Sequence, residues 1–224
     1  MRRAIIAGSI LALFAIAGAG TLLLLSTRRK APAVTASASK PPLTRPAVKE
    51  PPLPPLEGRV LLTTDQSNEA LAAGLIDRPV RSLLKVSAPM SYGEFQWNDK
   101  GVPPGPSWVR VDLASQILSV FRSGHEIGTA VILYGADGLP TPTGKFPILA
   151  KLKDHRSATY GNAPMPYTLR LTNDGVAIHG SNVRWGFATH GCVGVPKAFA
   201  AKLFEVLSKG DEVMIVGAKK EPAA

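Results

Sequence analysis

The only cysteine of this 224-residue chain, Cys192, lies two residues after His190 and thirteen after His179. A cysteine acts as a nucleophile in its thiolate form, and a nearby imidazole can accept the thiol proton and return it later. The residue types and spacing therefore allow a Cys192–His179 catalytic pair. They also allow a structural thiol or a metal site.

The residues beside Cys192 offer further groups for such chemistry. Gly191 lets the backbone approach a substrate closely, and the N–H groups of Gly191 and Cys192 can point toward a developing oxyanion. A helix predicted to begin near Pro196 would favour a thiolate through its dipole. We therefore predict that His179 and this helix lower the pKa of the Cys192 thiol.

The elements that must position these residues are predicted to be mostly short β-strands. Alternating or continuous apolar residues after Ser107 indicate strands in SWVRVDL, ILSVF, EIGTAVILY, FPILAKL, YTLRL, GVAIHG and DEVMIV. The GVAIHG strand is predicted to end at His179, and the helix from Pro196 to end at Gly210. Strands at this spacing predict a mainly β, sandwich-like or barrel-like fold with one or two short helices.

Residues 57–106 give mixed patterns and no recognisable chemistry. SNEALAAGLI predicts a short helix and RSLLKVSAP a strand or sheet edge. We interpret this part as an accessory or packing segment in front of a catalytic domain at 107–217, with a C-terminal tail at 218–224.

The N-terminal region predicts membrane attachment. Ala4–Leu25 is 22 residues without a charge, and a helix of that length spans about 33 Å, enough for a bilayer core. Residues 1–30 are therefore interpreted as an uncleaved signal anchor. A cleaved signal ending near Ala17-Gly18-Ala19 is the alternative.

A proline-rich segment, residues 31–56, follows the predicted anchor. It contains eight prolines, which favour a stiff, extended tether, although a disordered linker also fits this composition. Because residues 1–56 hold eight Lys and Arg against one Glu, most of the net charge of +10 lies there. The remainder has no concentrated basic patch, which argues against nucleic-acid binding.

Several of these segments together resemble the L,D-transpeptidase catalytic-domain family of bacterial cell-wall enzymes. The blocks that carry the resemblance occur in the family's order between residues 107 and 216: PTPTGKFPIL, MPYTLRL, GVAIHG, ATHGCVGVP and KGDEVMIV. The resemblance implies that Cys192 is the nucleophile, that His179 is its base, and that the carbonyl of Gly180 orients the imidazole. It makes His190 either a second-sphere residue or a substrate contact, and it implies no cofactor or metal.

The implied reaction is acyl transfer on peptidoglycan stem peptides through a Cys192 thioester. The resemblance also implies cell-wall remodelling, with an inner-membrane anchor and a periplasmic catalytic domain. Release of the thioester by water would instead give L,D-carboxypeptidase activity. The acceptor and the oligomeric state are left open.

One position departs from the family pattern. The family commonly has an arginine two residues after the cysteine, where this chain has Gly194. Arg184 is a candidate to compensate, and a solvated arginine is the alternative. Tyr167 is a candidate oxyanion donor, with simple packing as the alternative.

The remaining motifs predict less. Thr141–Gly144 is interpreted as a turn at the rim of the site, and His125 and His155 as surface residues. Two other functions stay open: a catalytically impaired peptidoglycan-binding module, and a zinc peptidase with His179, His190 and Cys192 as ligands.

Overall fold

The computed structural model describes residues 56–136 and 138–217. The predicted anchor, the tether up to residue 55 and the tail from residue 218 lie outside the described residues. Within the described ranges, no helix has both the length and the apolar character needed to span a membrane.

Two helices and twelve strands form the described part of the chain. The helices are α1 (Thr64–Ala72) and α2 (Lys197–Val206). The strands are β1 (Arg59–Leu61), β2 (Ser82–Leu84), β3 (Phe95–Trp97), β4 (Ser107–Asp112), β5 (Ile117–Arg122), β6 (His125–Val131), β7 (Gly144–Pro147), β8 (Ala150–Arg156), β9 (Pro164–Arg170), β10 (Ala177–Ser181), β11 (Val193–Pro196) and β12 (Glu212–Val216). The predicted mainly β fold with two short helices is confirmed.

The strands form two sheets. An eight-stranded sheet has the order β1-β2-β6-β5-β4-β12-β7, with β3 also paired to β6, and a four-stranded sheet has the order β11-β10-β9-β8. The alternating apolar residues of β4 and β5 fit the antiparallel pairing of these two strands. One main core contains residues of both sheets and of α2, including Val111, Leu118, Ile178, Val195 and Phe199.

The segment 57–106 adds strands to the larger sheet. β2 and β3 both pair with β6, and a smaller apolar cluster joins Val80 to Trp108 and Phe121. The rings of Trp108 and Phe121 stack with centroids 4.0 Å apart. The segment therefore packs directly on the strands that follow it.

Several predicted boundaries near the site were wrong. β10 does not end at His179 but continues to Ser181. The residues after Cys192 do not enter the helix directly, because β11 lies between Cys192 and α2. Pro196 caps α2 rather than occupying its first turn, and the helix ends before Gly210.

Candidate active site

Strands β10 and β11 bring His179 and Cys192 to the same groove. The two strands are parallel, with Ile178 opposite Val193 and His179 opposite Gly194. Ile178 and Val193 are buried in the core. Because successive side chains of a strand point to opposite faces, His179 is directed away from the core; Cys192 directly precedes β11, and both side chains line the groove.

The groove has a volume of about 710 Å³. Residues from four stretches of the chain line it, within 139–142, 155–165, 174–181 and 188–192. A cleft of this size lies in the range of small-ligand and peptide sites. The loop of the β8–β9 hairpin and the loop that leads to Cys192 both contribute to this lining.

His179 is held in an orientation suited to a base. Its Nδ1 lies 3.0 Å from the carbonyl oxygen of Gly180. Because a carbonyl only accepts hydrogen bonds, Nδ1 is the protonated nitrogen of the neutral ring, and Nε2 is left with a free lone pair. The orienting role assigned to Gly180 by resemblance therefore has a matching geometry.

Burial favours the neutral form of both His179 and Cys192. It lowers the pKa of His179, an effect that the nearby His155 increases and the hydrogen bond to Gly180 partly offsets. Burial also raises the pKa of the Cys192 thiol, while a backbone hydrogen bond with Ala177 acts in the opposite direction. These directions are opposite to the thiolate–imidazolium pair expected from the sequence. The expected contribution of the helix dipole is also absent, since β11 separates Cys192 from α2.

The backbone of Cys192 is fixed by hydroxyl groups that the sequence analysis did not single out. The carbonyl oxygen of Cys192 accepts hydrogen bonds from Thr189 Oγ1 at 2.6 Å and Thr141 Oγ1 at 3.4 Å. Thr141 is buried and also accepts the N–H of Gly135 at 2.9 Å. Thr141 therefore supports the cysteine loop rather than forming only a rim turn.

The thiol and the neighbouring glycine have their own restraints. Cys192 Sγ is half-buried and lies 3.8 Å from the carbonyl oxygen of Gly175, a hydrogen-bonding distance for sulfur. Gly191 has φ = +105°, a conformation that residues with a Cβ rarely adopt. This explains why glycine precedes the cysteine.

The other predicted site residues have different positions. His190 lines the groove and its ring stacks on Tyr160 with centroids 4.1 Å apart. Tyr167 does not line the groove; it has φ = +57° and its ring packs against Phe204 at 5.8 Å. Arg184 is exposed, bonds Asn182 at 3.0 Å, and does not line the groove. These contacts favour the packing interpretation of Tyr167 and the solvated interpretation of Arg184.

Two histidines predicted to be surface residues were placed wrongly. His125 is buried in β6, with Nδ1 2.9 Å from Ser82 Oγ. His155 is half-buried and lines the groove. Both sit in turn-like sequences, and no local pattern signals which strand or loop covers them.

The described residues contain no group of three or more His, Cys, Asp or Glu arranged to hold a metal ion. At Gly194, an added Cβ would lie 3.0 Å from the Cβ of Ser181 and 3.4 Å from that of Leu133. The position that commonly holds arginine in the family is therefore closed to a larger side chain unless its neighbours move.

Residues 106–215 match the family model of the YkuD L,D-transpeptidase catalytic domain. This part of the chain belongs to the L,D-transpeptidase catalytic-domain family. No curated protein matches the chain.

Solved L,D-transpeptidase structures are also similar to the chain. One from Stackebrandtia nassauensis has 29% identity and a TM-score of 0.48, covering 53% of this chain and 58% of that one. One from Mycobacterium tuberculosis has 19% identity and a TM-score of 0.46, with 49% and 57% covered. A mutant enzyme from Enterococcus faecium has 23% identity and a TM-score of 0.45, with 70% and 66% covered. The chain thus spans less than two thirds of the length of these proteins.

Proposed function

We propose that this protein is a cysteine L,D-transpeptidase that acts on peptidoglycan stem peptides. The observation that carries the proposal is the His179 Nδ1 bond to the Gly180 carbonyl, which leaves Nε2 free, in the groove that also contains Cys192. Membership of residues 106–215 in the family supports the same reaction.

In the first half of the reaction, Cys192 Sγ attacks the carbonyl that precedes the terminal D-residue of a donor stem. Nε2 of His179 takes the thiol proton as the S–C bond forms, so a preformed thiolate is not required. The N–H groups of Gly191 and Cys192 are our candidates to stabilise the oxyanion. The C–N bond then breaks, and His179 returns the proton to the departing amine.

In the second half, an amine of another stem attacks the thioester. The amine loses a proton to His179, the C–N bond forms, and the C–S bond breaks. His179 then protonates the released sulfur. Attack by water in place of the amine gives hydrolysis and the carboxypeptidase product.

The nucleophile is tested by incubating the full-length protein with purified stem tetrapeptides and reading the products by mass. We expect wild type to form cross-linked dimers and Cys192→Ala to lose more than about a thousand-fold in rate. A carbapenem, which by the family resemblance acylates this cysteine, should add its mass to wild type only. Circular dichroism checks that the variant is folded, and full activity in Cys192→Ala would refute the proposal.

We further propose that Ala4–Leu25 is an uncleaved membrane anchor and that the proline-rich segment places the catalytic domain in the periplasm. The apolar length of the segment supports this. We expect the mature protein to keep Met1 and to stay with the membrane after a high-salt wash. Recovery of a soluble form that begins near Gly20 would instead identify a cleaved signal.

A further inference from the structure

The groove contains one unpaired carboxylate among its described side chains. Asp174 is the only Asp, Glu, Lys or Arg in the described lining, which otherwise consists of neutral residues and three histidines. The side chain is exposed, and it takes part in none of the ion pairs formed by the described residues. A carboxylate in this lining is a candidate partner for a cationic group that enters the groove.

Asp174 lies next in sequence to the residue that contacts the Cys192 sulfur. Asp174 directly precedes Gly175, whose carbonyl oxygen lies 3.8 Å from Cys192 Sγ. The turn that contains both residues is fixed by bonds from Val176 N to Thr172 Oγ1 at 2.9 Å and from Leu171 N to Val176 O at 2.8 Å. The position of Asp174 relative to the sulfur is therefore set by backbone geometry.

No described cation in the groove balances this charge. The family's usual arginine position is Gly194, where Ser181 and Leu133 leave little space, and the nearby Arg184 does not line the groove. The described lining therefore offers an ammonium group that enters the groove one carboxylate and no Lys or Arg.

We propose that Asp174 binds the ammonium group of the acceptor stem and thereby favours amine acceptors over water. The inference rests on the proposed function and names the acceptor class as a primary alkylammonium. Bound beside the thioester, the ammonium gives one proton to solvent. The neutral amine then attacks, passes its next proton to His179, and forms the amide as the C–S bond breaks and His179 protonates the sulfur.

The charge effect can be tested without any transpeptidase activity. Methanethiosulfonates that carry a trimethylammonium or a sulfonate group both convert Cys192 to a mixed disulfide and release methanesulfinate. Both reagents react with the Cys192 thiolate, so the ratio of their rates at one pH does not depend on the fraction of Cys192 that is deprotonated. We expect wild type to react faster with the cationic reagent. Asp174→Asn should reduce the ratio of the cationic to the anionic rate by about ten-fold, because the carboxylate attracts one reagent and repels the other. The difference should shrink in high salt.

A matched variant is Asp154→Asn. Asp154 is an exposed carboxylate on β8 that does not line the groove, so its removal changes the net charge equally. We expect this variant to keep the wild-type ratio. Equal ratios in wild type and Asp174→Asn would overturn the inference.

The acceptor role is tested with a stem tetrapeptide as donor. Asp174→Asn should raise the KM for a stem acceptor with a free amine about five-fold, and should change this KM more than the KM for hydroxylamine, which is uncharged at pH 8. An unchanged KM would overturn the acceptor role even if the reagent ratio fell. If wild type forms no thioester, the proposed function fails, while the reagent ratio still decides whether Asp174 controls charge at Cys192.

Discussion

In the candidate site, the surroundings of His179 and Cys192 favour the neutral form of both side chains. Nδ1 of His179 donates to the Gly180 carbonyl at 3.0 Å, and burial lowers the pKa of His179 while it raises the pKa of the Cys192 thiol. At a pH between the pKa of His179 and the pKa of Cys192, the thiol keeps its proton and Nε2 of His179 is free to accept one. The site is thus suited to proton transfer during attack rather than before it.

This arrangement predicts slow alkylation of Cys192 near neutral pH. We expect the rate of reaction with iodoacetamide to rise with a midpoint above the ordinary thiol pKa of about 8.5, because burial raises the pKa of Cys192. In His179→Ala the midpoint should stay above that value, since burial is its cause. Turnover should fall by about a hundred- to ten-thousand-fold as the base is lost.

The control for this titration is His190→Ala. His190 lines the groove and stacks on Tyr160, so its removal should change substrate handling more than the thiol midpoint. A wild-type midpoint well below 8.5 that rises in His179→Ala would show a thiolate–imidazolium pair instead.

At the scale of elements, the parallel pair of β10 and β11 aligns the two reacting side chains. Gly194 lies opposite His179 in this pair, and its N–H and C=O both bond Leu133, at 2.9 and 2.8 Å. The backbone at this point is therefore held on two sides. An added Cβ would meet Ser181 at 3.0 Å, closer than ordinary van der Waals contact.

This packing predicts that Gly194→Ala is destabilising. We expect a loss of about 1–3 kcal/mol in the free energy of unfolding, because the strand must shift to relieve the overlap. Urea denaturation measures the change. Gly138→Ala is the matched control, since an added Cβ there has no neighbour within 4 Å. Equal stability of both variants would contradict this account of Gly194.

At the scale of the whole molecule, a buried polar cluster joins the segment 57–106 to the larger sheet. His125 Nδ1 lies 2.9 Å from Ser82 Oγ, and the carboxylate of Glu126 accepts from Leu84 N at 2.8 Å and Ser119 Oγ at 2.6 Å. Burial lowers the pKa of His125, and the charges of Arg59 and Arg81 lower it further. Burial raises the pKa of Glu126.

The cluster predicts a pH dependence of stability. Because the pKa of folded His125 is below that of the unfolded chain, the unfolded state binds more protons, and the free energy of unfolding decreases as pH falls through about 6.5 toward the folded pKa. Glu126 acts oppositely. It adds to the free energy of unfolding at pH values below its ordinary pKa of about 4.3, and this addition is lost as pH rises through its raised pKa in the folded state.

Urea denaturation between pH 7.5 and 5 tests the histidine contribution. We expect His125→Gln to lose less stability than wild type over this interval, because the variant has no buried imidazole to charge. His190→Gln, on an exposed residue, should keep the wild-type slope. A wild-type slope in His125→Gln would exclude His125 as the source.

The sequence by itself determined most of the local elements and predicted which groups would react. Alternating apolar residues predicted most of the strands from Ser107 onward, because the side-chain period of two is a local property, but they did not predict β11. The lone Cys192, the histidine of GVAIHG and the glycine before the cysteine pointed to the site through motif and residue type. Residues 57–106 and the turns around His125 and His155 gave no comparable local signal.

The tertiary structure decided which groups meet and which charge state each prefers. Parallel pairing directed Cys192 and His179 to one groove and inserted β11 before α2, which removed the expected dipole effect. Burial set the directions of both pKa shifts and enclosed His125. The tertiary arrangement brought His155 and Asp174 to the groove, and Tyr167, which has φ = +57° within β9, packs its ring against Phe204. Strand pairing, side-chain burial and the electric field at a site depend on residues far apart in the chain, so a local sequence pattern does not predict them.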